Sequence, residues 1–224
     1  MILKKKYIIL GMIGCLCFGI GDWLLGYVDP TPIDGDIFYF IRAGHGADYD
    51  TLKAAVTLAF AVAGTFFLCP GLIHLADIAK DGKTAARLRL SGALCCMGWI
   101  MLHLTVTVNT AVFSEAAKIG GTELAVMLSN RLEKICLPVT YGSFLLVGAA
   151  FVLLIIDILR GKTALKKTAA VFAPVIPALI IAVISAVLPR SPFSYGLYTF
   201  NMNGGLLVWF AYLLTRAGKT DPVA

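Results

Sequence analysis

The chain has 224 residues, of which 59% are apolar and 14% charged, and its mean hydropathy is +0.86. Soluble domains are nearer 45–50% apolar and about 25% charged, so an ordinary soluble fold is excluded. The net charge of +6 lies in short clusters between apolar blocks, which is the pattern of topology determinants and not of a nucleic-acid surface.

The apolar residues fall in blocks of about 18 or more, enough to cross a hydrocarbon core of about 30 Å. Continuous runs of that length do not alternate as barrel strands do, so each block is read as a helix. The fold class expected is an all-α polytopic bundle of six transmembrane helices in one membrane domain, 1–224. The spans are placed at about 7–28, 54–75, 90–113, 135–156, 168–188 and 200–214.

The first block follows Lys4, Lys5 and Lys6. It is too long for a typical signal-peptide core and no small-x-small cleavage site follows, so it is read as a retained first span. Gly11, Cys15 and Gly19 recur every four residues along it and form a stripe that permits close helix contact. Asp22 lies three turns from Gly11 on the same face. Counting 1.5 Å per residue from Lys6 places it roughly 24 Å from the basic end.

An outer connection follows, with the aromatic patch Ile37-Phe38-Tyr39-Phe40-Ile41 expected in the interface. His45, Asp48 and Asp50 cluster in it, but exposed acidic loops of this kind do not usually hold a metal. Span two ends in Pro70-Gly71-Leu72-Ile73-His74, with the proline expected to kink the helix. His74 beside Asp77 is read as a solvated helix end.

Span three carries His103, roughly 20 Å from its inner edge. His103, Thr107 and Thr110 share one face, and Thr105 and Asn109 another. Residues 114–134 place Leu124, Leu128, Leu132 and Ile135 at helical spacing, as an amphipathic lead-in to span four. Tyr141 follows about 10 Å below Lys134, one turn after Pro138. Span five holds Pro174 and Pro177. Span six is expected to open with Phe200-Asn201-Met202-Asn203-Gly204-Gly205 at a helix entrance, where two asparagines suit a cavity lining better than lipid.

Thirteen of the 19 Lys and Arg residues fall at one set of helix ends and six at the other. The positive-inside rule then places both termini in the cytoplasm. Asp22, His103, Asn109, Tyr141, Asn201 and Asn203 all fall in the opposite, outer half. Intramembrane polar groups are costly and mark function by default. Their shared depth points to an outward-opening cavity, with Asp22 and His103 as candidate catalytic residues and Asn109, Tyr141, Asn201 and Asn203 as candidate ligand contacts. Each has a plainer reading as an interhelical hydrogen-bonding group.

The six cysteines have no CxxC spacing and are read as small packing residues, so no metal site is expected. There is no Walker motif, GxSxG, HExxH or Arg-rich voltage-sensor helix. No cofactor is expected. The partners expected are membrane lipids and a small amphipathic ligand, with no nucleic acid.

Three segments carry a resemblance: Gly21-Asp22-Trp23-Leu24-Leu25, Pro70-Gly71 with His74, and Gly98 to His103. They resemble an uncharacterised family of small bacterial six-span integral membrane proteins. The resemblance covers the first half of the chain and implies a six-helix fold in a bacterial cell membrane. It implies no activity. Three functions follow as alternatives: binding or processing a lipid-like molecule, acid–base catalysis by His103 and Asp22, or a structural role without a ligand.

Overall fold

A run of 15 residues without proline or charge, from Tyr7 to Gly21, leaves the helix as its only way to satisfy its backbone in an apolar setting. In the computed structural model, which describes residues 4–29, 34–36 and 49–217, that run forms α1 (Lys5–Gly26). The regular structure among the described residues is helical, apart from a single antiparallel bridge between Ala79 and Thr163. The aromatic patch 37–41, His45 and Asp48 lie outside the described residues.

α2 (Thr51–Ile73) starts at Asp50, whose side chain accepts the Lys53 backbone N–H at 2.7 Å. Pro70 lies inside this helix, and a 3-10 turn (His74–Ile78) begins four residues later. His74 stacks on Tyr7 with ring centroids 3.5 Å apart and meets Asp77 at 3.1 Å.

α3 (Gly82–Leu159) spans 78 residues, but Gly120 and Gly121 leave helical geometry. Gly121 sits at φ +75°, a conformation that only glycine adopts without strain. The break divides α3 into two arms, 82–119 and 122–159, which run antiparallel. Arg87 pairs with the buried Asp157, Trp99 meets Phe151 edge-on, and Asn109 binds Ser129. The helix therefore extends across most of the 114–134 segment expected as a connection. Leu124 and Leu128 pack into a small cluster with Phe113, Ala116 and Ala125, whereas Ile135 is exposed.

Span five is only partly helical in the expected sense. A 3-10 segment (Lys167–Phe172) precedes Pro174, and α4 (Val175–Val187) is 13 residues long. Proline lacks the N–H that a continuous helix needs, so the α-helix starts just after it. α5 (Pro192–Arg216) begins eight residues before the expected span, at a capping box between Ser191 and Ser194 with proline in the first turn. Asn201 and Asn203 consequently lie inside a helix and not at its entrance.

Among the described residues, three helical stretches are long and apolar enough to cross a membrane: Lys5–Gly26, Thr51–Ile78 and Gly82–Leu159. α1 packs between α2 and α5, α2 packs on α3, and α4 on α5, while α3 and α5 barely touch. The small residues of α1 serve both neighbours. A side chain at Gly11 or Gly19 would strike Phe210 or Phe200 of α5, and one at Gly14 would strike the Leu68 backbone of α2. Gly64 of α2 makes the notch that receives Phe18.

Candidate functional site

Close packing of α1 fixes where its one buried carboxylate points. Asp22 faces the gap between α3 and α5. Its Oδ1 lies 2.9 Å from His103 Nε2, and its Oδ2 accepts the Asn203 side-chain amide at 2.5 Å. Its backbone carbonyl accepts the Thr199 hydroxyl at 2.7 Å. Three helices thus converge on one acid.

His103 is held from its other side. Nδ1 lies 2.7 Å from the Trp99 carbonyl. A carbonyl can only accept, so Nδ1 carries a hydrogen. Nε2 then faces a carboxyl oxygen at a distance that calls for a proton between them, although the approach is bent away from good hydrogen-bond alignment. The pair is either imidazolium with carboxylate or imidazole with carboxylic acid. Both forms are electrically neutral and hold one transferable proton. Phe18, 4.4 Å from the imidazole, and Trp99 flank the ring.

Beside the pair lies a partly open cavity of about 310 Å³. Its apolar wall includes Leu25, Leu102, Val106, Phe144, Val147 and Met202. Its polar wall holds Asp22, His103, Asn201 and Asn203. Pockets for small molecules are about 300–1,000 Å³, mostly apolar with a few placed polar groups. This one is at the small end of that range. It occupies the gap where α3 and α5 fail to pack.

Of the six residues singled out in the sequence, these four line the cavity. Asn109 does not. It points from the first arm of α3 to the second, where its amide donates to the Ser129 carbonyl at 3.1 Å and its oxygen accepts the Ser129 hydroxyl at 2.6 Å. Tyr141 is 51% exposed on the outside of the second arm, while Thr140, Ser143 and Val147 take the inward positions. Neither presents its side chain to the cavity.

A family model for a family of unknown function, DUF6796, matches residues 1–219. The chain belongs to that family. The match runs through the second half of the chain, beyond the segments that carried the resemblance. No curated protein and no solved structure matches the chain.

Sequence reasoning passed over several groups in this DUF6796 chain. Trp99 also lines the cavity. Asp157, one residue past the expected end of span four, is buried against Arg87. Tyr49 is fully buried, in a cluster with Leu25, Ala54 and Val106. Its hydroxyl faces Thr57 and Thr107, and burial pushes it up to about 12. None of these three hydroxyls completes a direct hydrogen bond. All six cysteines are free thiols, and among the described residues no three His, Cys, Asp or Glu side chains converge as metal ligands would.

Proposed function

We propose that this chain is a six-span protein of the bacterial cytoplasmic membrane that binds or processes a small amphipathic, lipid-like molecule. On this reading the spans are α1, α2, the two arms of α3, α4 with its 3-10 lead-in, and α5. Both termini are cytoplasmic, which the distribution of 13 basic residues against six supports. The Asp22 end of α1 and the N-terminal half of α5 then lie in the outer half of the bilayer. The ligand enters sideways between the second arm of α3 and α5.

The observation that carries this reading is the Asp22–His103 pair on the wall of an otherwise apolar cavity. A polar group at membrane depth is retained at a cost. Here it is not sealed in a core but stands beside open volume. The apolar wall suits a hydrocarbon chain, and the pair with Asn203 suits a polar head.

The test is extraction of the purified chain with organic solvent and mass spectrometry of what it carried. Wild type yields a recurrent amphipathic species, and Leu102→Trp, which fills the cavity, loses it. Identical extracts from both would overturn the proposal.

A second reading is a membrane-embedded enzyme in which His103 is the general acid or base and Asp22 orients it. The single shared proton of the pair favours it. On that reading His103→Gln accumulates an unconverted ligand that wild type turns over. A purely structural role is what the Asn109–Ser129 clasp illustrates, and it provides no use for the cavity.

A further inference from the structure

We infer that the molecule held in the cavity presents an uncharged, hydrogen-donating head, such as a hydroxyl or a primary amide, and not an anionic one. The inference rests on the cavity reading above and names the class of ligand for it.

The first ground is the inventory of the wall. Among the described residues, the polar groups on the wall are one carboxylate, one imidazole, two asparagines, the Tyr198 and Thr199 hydroxyls and the Trp99 indole, with no Lys or Arg. A carboxylate or phosphate head placed beside Asp22 would be buried without a countercharge, and an unpaired charge in an apolar site is heavily penalised.

The second ground is the charge balance of the pair. With Nδ1 committed to the Trp99 carbonyl, the Asp22–His103 contact already contains the proton that neutralises it. The site does not need a cationic head to balance Asp22. An ammonium group would have to displace His103 from the carboxylate, and the ring is fixed by Trp99 and Phe18.

The third ground is the supply of acceptors. Asp22 keeps lone pairs beyond those used by His103 and Asn203, and its side chain retains 12% exposure. On the same wall Asn203 Oδ1 and Trp99 Nε1 both lack a hydrogen-bond partner. Buried polar atoms without partners are costly, so an uncharged head that both donates and accepts, as a hydroxyl or a primary amide does, is favoured over one that brings only acceptors.

The experiment uses the full chain in a neutral maltoside detergent and native mass spectrometry. Four probes share one chain length: 1-decanol, decanamide, decanoate and decylammonium. The alcohol and the amide should bind more tightly than either charged probe by about ten-fold or more, and Leu102→Trp should abolish binding of all four. Asp22→Leu should erase the preference while leaving apolar binding. Decanoate binding as well as decanol, with Leu102→Trp still blocking both, would overturn the head-group inference and leave the cavity reading standing. Tightest binding of decylammonium would overturn the uncharged head in favour of a cationic one. Binding of no probe, or binding indifferent to Leu102→Trp, would remove the cavity reading and this inference together.

Discussion

Asp22 on α1 and His103 on α3 lie 2.9 Å apart although 81 residues separate them in the chain. Asn203 on α5 holds the second oxygen of the same carboxylate. The contact therefore joins three helices and should register as coupling. Asp22→Asn and His103→Gln, alone and together, should be non-additive in stability by about 0.5–3 kcal/mol, the double mutant costing less than the two singles combined. Thermal or denaturant unfolding of the four proteins measures it. Additive losses would place the two side chains out of contact.

The small residues of α1 should differ in tolerance. Gly19→Leu would push against the Phe200 ring, which can turn, whereas Gly14→Leu would meet the Leu68 main chain, which cannot. Both should unfold at lower temperature, by about 1–3 kcal/mol of overpacking, with Gly14→Leu the more damaging. Equal or absent losses would contradict the packing of α1 between α2 and α5.

The buried Asp157 carboxylate depends on Arg87, whose own side chain is 38% exposed. Arg87→Met strands a charge in the seam between the two arms, while Asp157→Asn leaves a neutral amide. Arg87→Met should be the worse substitution, by about 1–3 kcal/mol. Restoration of stability in the Arg87→Met/Asp157→Asn double variant relative to Arg87→Met would complete the case, and its failure would weaken it.

Asp81 caps α3 by accepting the Thr84 backbone N–H and hydroxyl, both at 2.8 Å. These hydrogen bonds hold its carboxyl below the usual carboxylate range. A lowered native value means that the stabilisation is complete above the unfolded carboxylate pKa and is lost as pH falls through the native one. The advantage of wild type over Asp81→Ala should be constant at neutral pH and shrink in the acid limb of a stability–pH series. A constant difference down to the lowest pH would assign the effect to something other than the ionised cap.

The Lys80 N–H donates to the Lys162 carbonyl at 2.9 Å, beside the Ala79–Thr163 bridge. On the six-span reading, the 78–83 and 160–163 segments share one side of the membrane. In a cysteine-free background, single cysteines at Lys83 and Lys162 should label only from the cytoplasm, and one at Glu123 only from outside. Labelling of Lys83 and Lys162 from opposite sides would contradict the fold. Labelling of both from outside would reverse the orientation.

Spacing along each helix was legible in the sequence because helix rise is constant, and Asp22, His103 and Asn203 do meet. Facing was not, because it depends on which neighbour each helix meets. Asn109 and Tyr141 group with them in the sequence, yet one turns to Ser129 and the other outward. Two local signals were present and unread. Gly120-Gly121 marks the break between the arms of α3, and Ser191-Pro192 with Ser194 marks the true start of α5. Hydropathy missed both because it averages over the residues that punctuate a helix. The Arg87–Asp157 pair was hidden for another reason: its members are 70 positions apart, and only the hairpin brings them together.

The most direct test of the account is ¹⁵N NMR of histidine-labelled chain titrated with 1-decanol. With three histidines in the chain, His103 is assigned by His103→Gln. Its ring nitrogens should shift on addition of the alcohol while those of His45 and His74 stay fixed, and Leu102→Trp should abolish the response. A His103 signal unmoved by any amphipathic probe, in a chain whose other signals show it folded, would contradict a ligand seated against the Asp22–His103 pair.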